Sequence, residues 1–234
     1  MRFAATVRRA LPLGAALCLL LAHASAHAAL RSPQVVVNGS GLQGYLDSEG
    51  ESINVQTDQQ DVQVFQPVMS INFPATYQFE AALKDPGLEV GIYDGHLSSP
   101  ELVPIFPAVS GPEWFAVVSF RQNPDRVVIS LFDSNSNLVG TQVHFGPTNA
   151  GFGFYVQGPG GTLYSQDVRN PGGAAQALFF MGTGIDSGSW WIAFEGTPQG
   201  DSDRDFDDAV LFNEQVTGVP VHTSSWGDLK ARFR

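Results

Sequence analysis

The sequence has only two lysines, Lys84 and Lys230, and 12 basic residues in all against 23 acidic ones, a formal charge of −11. A nucleic-acid binder needs a basic face to match phosphate charge, so that class is excluded. There is one cysteine, Cys18. No Cys/His metal spacing exists, and of the five histidines the three beyond residue 28, His96, His144 and His222, stand far apart with no H-E-x-x-H pattern. No G-x-S-x-G nucleophile elbow occurs. No run of 12 or more residues keeps a capped helical period, and 25 Gly with 15 Pro argue against a coiled coil or helical bundle. A disordered acidic tail is excluded by 43% hydrophobic and 11% aromatic content. What is present is an acidic, turn-rich globular chain.

Residues 1–28 read as a secretory signal peptide. Arg2, Arg8 and Arg9 form a positive n-region, and Ala10 to Leu21 is an apolar stretch of about twelve residues, shorter than the roughly 20 that span a membrane. Small residues allow cleavage after Ala28 or after Ala26. Removal takes three Arg and no acid, which moves the formal charge from −11 to −14. It also removes Cys18, so the exported chain can form no disulfide and must draw stability from its core or from bound ions.

Residues 29–218 are predicted to form a single domain. Short apolar runs alternate with Gly, Pro, Asn and Asp. Strands are expected at 35–37, 63–65, 70–73, 89–93, 114–120, 127–132, 138–145, 151–157, 162–165, 175–181, 190–194 and 209–212. WFAVVSF (114–120) and VVISLF (127–132) read as buried on both faces. In GFGFYVQ (151–157), Phe152, Phe154 and Val156 share one face, and the alternate glycines predict close approach by a ring or backbone. Pro67, Pro104 and Pro107 fit loops or strand edges. The count and spacing predict an all-β antiparallel sandwich or jelly roll. Residues 219–234 form a tail with a short predicted helix, in which Trp226, Leu229 and Phe233 share one face.

Asp201, Asp203, Asp205, Asp207 and Asp208 place five carboxylates within eight residues. Each close pair repels by about 1 kcal/mol at 4 Å even in water. One internal Arg204 cannot neutralise five charges. A hard divalent cation can, and Ca²⁺ accepts six to eight oxygens in a flexible cage. Mg²⁺ suits an all-protein cage less well. An EF-hand is excluded: counting Asp201 as first, the sixth position is Phe206 and the twelfth Phe212. Strands flank the run, and Glu195 closes the preceding one. The predicted calcium ligands are therefore Glu195, Asp201, Asp203, Asp205, Asp207 and Asp208.

These residues resemble a family. Phe194-Glu195, a short loop and then Asp203-Arg204-Asp205-Phe206-Asp207-Asp208-Ala209-Val210 are similar to a bacterial secreted domain of unknown function. Its signature is F-E-D-L, a Gly-rich loop and D-x-D-[FY]-N-D. That domain is common in exported proteins, including those with Pro-Glu-Pro sorting tails. Gly91 to Asp94, Gly151 to Tyr155 and Leu163 to Asp167 extend the resemblance over roughly 63–213. Two positions depart: F-E-D-L reads Phe194-Glu195-Gly196-Thr197 here, and Asp207 replaces the usual Asn. The resemblance implies a calcium-associated β domain outside the cytoplasm, and no activity.

The leading expectation is thus an exported, non-catalytic calcium-binding β domain with a structural or interaction role at the envelope or outside the cell. Its partner would be a glycan or an envelope protein. A carbohydrate-binding or adhesive module, with Trp114, Tyr164 or Trp191 stacking on sugars, is the alternative. A secreted hydrolase using a carboxylate pair is a third.

Overall fold

A computed structural model describes residues 29–67, 74–146, 151–198, 200–213 and, by backbone, 217–220. It is mostly β, with two antiparallel sheets that do not close into a barrel and one short helix. The strands are β1 (Val62–Gln66), β2 (Ala75–Lys84), β3 (Glu89–Asp94), β4 (Leu102–Phe106), β5 (Trp114–Arg121), β6 (Arg126–Phe132) and β7 (Leu138–Phe145). They continue as β8 (Phe152–Gly158), β9 (Gly161–Tyr164), β10 (Ala177–Met181), β11 (Trp190–Phe194), β12 (Ala209–Asn213) and β13 (Thr217–Pro220). One sheet runs β13-β1-β8-β3-β4, with β9 also on β8; the other runs β10-β11-β12-β2-β5-β6-β7.

Period-two alternation explains the layers. In the longer sheet, Phe79, Val118, Ile129, Phe179, Ile192 and Leu211 point inward and meet Phe65, Ile92, Phe152 and Phe154 of the other sheet. Aromatic rings dominate this core: Phe79 and Phe154 meet edge-on with centroids 5.5 Å apart, and Phe120 stacks on Phe152 at 4.9 Å. The predicted glycine approach is present. Gly153 pairs with Tyr93 and Gly91 with Tyr155 across β3 and β8. A Cβ at Gly153 would lie 2.4 Å from Tyr93 Cζ, and one at Gly91 would lie 2.6 Å from Tyr155 Cε1. Each glycine thus leaves room for the tyrosine opposite.

The outward face of β10, β11 and β12 carries a second core. Leu178, Phe180, Trp191, Ala193 and Val210 pack against Val37, Leu42, Leu46, Ile53 and Val55 of the N-terminal segment. That segment includes the helix α1 (Gly41–Ser48), with Leu42 and Leu46 buried one turn apart. Eight residues with two glycines would not be helical alone, so packing holds α1. Gln43 staples it by donating to Ile53 O and accepting from Val55 N–H.

Several expectations change. β2 was not predicted, although Ala75, Tyr77, Phe79 and Ala81 alternate inward with outward Thr76, Gln78 and Glu80. Its Ala, Glu and Lys content lowers β propensity, and position between β12 and β5 overrides that. β4 was missed because Pro104 interrupts it; β4 is an edge strand, where the missing N–H is tolerated. β5 and β6 are not buried on both faces. Ala116, Val118, Val127 and Ile129 are buried, whereas Phe115, Val117, Val128 and Phe132 are half-buried, because the N-terminal segment covers β10–β12 instead. Residues 35–37 form no strand; Val35 N–H and Val37 N–H donate instead to the side chains of Gln59 and Gln56. The described helix is N-terminal; the strand expected at 70–73, the predicted helix at 226–233 and the signal segment lie outside the described residues. Residues 219–220, read as tail, belong to β13 and pair with β1.

Candidate metal centre

Strand register assembles the acidic residues. In the β11–β12 hairpin Phe194 pairs with Ala209, which leaves Glu195 and Asp208 at adjacent strand ends. On the other side of β12, Ala209 pairs with Lys84 of β2, so Asp85 stands next in the row. Asp85 N–H donates to Asp208 O at 2.8 Å, and Gly196 N–H donates to Asp208 Oδ2 at 2.6 Å. Position 196, where the resembled signature has Asp, is tightly enclosed: a Cβ would lie 3.0 Å from Leu88 Cδ1 and 3.1 Å from Asp208 Oδ2.

The loop between β11 and β12 curls back over this row. Arg204 and Phe206 take left-handed backbone angles, φ 63° and 57°. Each costs a non-glycine residue about 1–2 kcal/mol. Phe206 offsets this by burying its ring, 1% exposed, in the outer core beside Leu42 and Leu46. Asn38 clamps the loop from outside: its N–H donates to Arg204 O at 2.8 Å and its side-chain amide to Asp203 O at 2.5 Å.

Two sets of carboxylate oxygens converge. Those of Glu195, Asp203 and Asp205 lie within 4.8 Å of one another, as do those of Asp205, Asp207 and Asp208. Asp205 belongs to both. Asp201 belongs to neither; it is exposed, in a turn closed by its N–H to Pro198 O at 2.9 Å. Asp85 was not foreseen, because its place depends on long-range pairing of β2 with β12.

Glu195 is the unusual member. It is 1% exposed, and neither carboxylate oxygen has a hydrogen-bond partner among the described residues. A buried carboxylate left so is costly. Burial first, then the charge of Asp208, pushes it up to about 7. Burial and then the charge of Asp205 push Asp207 up to about 6. Asp85 is raised too, by burial and then by Asp208. The donor set is entirely hard oxygen, which fits Ca²⁺ or Mg²⁺ and not a soft metal.

Of the aromatic residues weighed as sugar platforms, Trp191 is buried and Trp114 and Tyr164 are half-buried. Trp191 is 4% exposed, and its Nε1 donates to Glu51 at 2.6 Å. Tyr164 meets Tyr93 edge-on at 5.1 Å, and Trp114 packs against the inner core. No helix among the described residues is long and apolar enough to cross a membrane. No protein-family model matches the chain, and no curated protein matches it.

Proposed function

We propose that this chain is an exported, non-catalytic β-sandwich that binds calcium through the loop between β11 and β12, in a structural or interaction role outside the cytoplasm. Glu195 carries the reading: a buried carboxylate with no hydrogen-bond partner among the described residues, grouped with Asp203 and Asp205, is an arrangement a divalent cation resolves. Glu195, Asp203 and Asp205 would form the core of the site, with Asp207 and Asp208 completing it through shared Asp205. Calcium suits the irregular cage better than magnesium, which demands octahedral geometry and keeps its waters. Burial of Glu195 also supports binding over hydrolysis, since a general acid must reach its substrate.

The resemblance of 194–210 to exported acidic-signature domains supports an extracytoplasmic setting, where calcium is abundant enough to hold such a loop. Titration calorimetry of the purified protein with calcium, and separately with magnesium, tests the proposal. One saturable calcium isotherm, tighter than that for magnesium, is expected. Absence of calcium binding at millimolar concentration refutes it.

A further inference from the structure

The β11–β12 loop has a second side. While Asp203 and Asp205 join Glu195, Arg204 between them and the flanking Ser202 and Phe206 line a cleft of about 460 Å³. Its other walls are residues 31–35, the start of β1 and the 3-10 turns at 167–173. That size falls within the roughly 300–1,000 Å³ of small-molecule sites. The Arg31–Asp167 ion pair, with Gln63 also donating to Asp167 Oδ2 at 2.9 Å, braces the N-terminal segment against these turns.

The lining holds unused polar groups of both kinds. The Arg204 guanidinium makes no ion pair or hydrogen bond among the described residues, and neither does the Asp61 carboxylate; both side chains are half-buried, so solvent reaches them. Gln34 also lines the cleft, but its Oε1 is buried and its amide nitrogen donates to Thr57 O at 3.0 Å, so it serves as wall and not as a ligand contact. The charged lining residues are Arg31 and Arg204 against Asp61 and Asp167, so they balance. Pro33, Val35 and Val168 add apolar surface.

Charge and hydrogen-bonding character together select a ligand class. The surrounding field of a chain this acidic repels an anion. A cation is drawn instead to the neighbouring carboxylates. A hydroxyl both donates and accepts, so a polyhydroxyl ligand can meet both the Arg204 guanidinium and the Asp61 carboxylate that line the cleft. We propose that this cleft binds a neutral saccharide unit, with Arg204 donating to hydroxyl oxygens and Asp61 accepting from hydroxyls. None of the grouped carboxylates lines the cleft, so the site does not rest on the cation.

The test is calorimetric or NMR titration of the purified protein with neutral sugars (glucose, galactose, mannose, N-acetylglucosamine and their disaccharides), with glucuronate and glucosamine as charged counterparts. Running it in calcium and again in EGTA keeps it separate from the cation reading; binding in either condition counts in favour. At least one neutral sugar is expected to bind at millimolar Kd or tighter, and more tightly than its charged counterpart. Arg204→Ala and Asp61→Ala should each weaken it at least tenfold, with Arg126→Ala unchanged. Asp61→Asn keeps an acceptor oxygen and should retain more affinity than Asp61→Ala, with folding verified by circular dichroism. The proposal is overturned by no sugar binding, by stronger binding of a charged counterpart, or by Arg204→Ala and Asp61→Ala binding as wild type.

Discussion

Glu195 and Asp208 stand at the ends of adjacent antiparallel strands, each one residue beyond the paired Phe194 and Ala209. The hairpin cannot close in this register without bringing the two carboxylates together. Through Lys84, paired with the same Ala209, Asp85 joins them. Repulsion is therefore written into the fold, and an ion that offsets it stabilises the native state alone.

The first prediction is a calcium-dependent unfolding midpoint. A ligand at about 100 times its Kd adds about 2.7 kcal/mol, or roughly 5–10 °C for a domain of this size. Thermal unfolding followed by circular dichroism, in EGTA and then in calcium, measures it. Equal midpoints would falsify the cation site.

Substitutions should rank by position in the cluster. Glu195→Gln and Asp205→Asn are each expected to weaken calcium at least tenfold, because one is the buried ligand and the other is shared by both sets. Asp201→Asn should weaken it less than Asp205→Asn, since its carboxylate lies outside both sets. Calorimetry that ranks Asp201 above Asp205 would show the ligands misassigned.

Acidity should stabilise the cation-free protein. Glu195 is raised from 4.5 to about 7 and Asp207 from 3.8 to about 6, so the folded state binds more protons than the unfolded state between those limits. Their joint contribution to stability is fully present below about pH 4 and is lost as pH rises to about 7. In EGTA, the loss of stability from pH 5 to pH 8 should be larger for wild type than for Glu195→Gln. Parallel urea-denaturation profiles for the two proteins would count against this assignment.

Gly153→Ala should cost about 1–3 kcal/mol by overpacking, because the new methyl meets the Tyr93 ring at 2.4 Å. Gly140→Ala, where no atom lies within 4 Å, should cost far less. Urea midpoints compare them directly, and equal losses would contradict the packing account.

Phe206→Ala should act on both stability and calcium. Emptying the ring's place beside Leu42 costs about 3–5 kcal/mol. It also frees a loop held in left-handed geometry, so calcium affinity should fall although Phe206 is no ligand. A variant that loses stability but binds calcium as wild type would separate the loop's anchor from its cation site.

The sequence by itself determined the all-β class, most strand positions and the local density of acids. Alternation in 151–157, the apolar run at 190–194 and turn pairs such as Asp94-Gly95 are short-range signals that depend on neighbours along the chain. It also marked the Asp run, because repulsion within eight residues needs no fold to recognise, and Glu195, because it closes the strand that precedes the run. Tertiary structure decided the rest. β2 carries weak propensity and becomes a central strand only because β12 and β5 flank it. The half-buried outer faces of β5 and β6 follow from where the N-terminal segment packs, which no local pattern encodes. Asp85 enters the acidic row, and Arg204 and Asp61 come to line one cleft, through pairings between residues more than a hundred positions apart. Register and layer packing are set by burial summed over the whole chain, so they become legible only once the sheets are assembled.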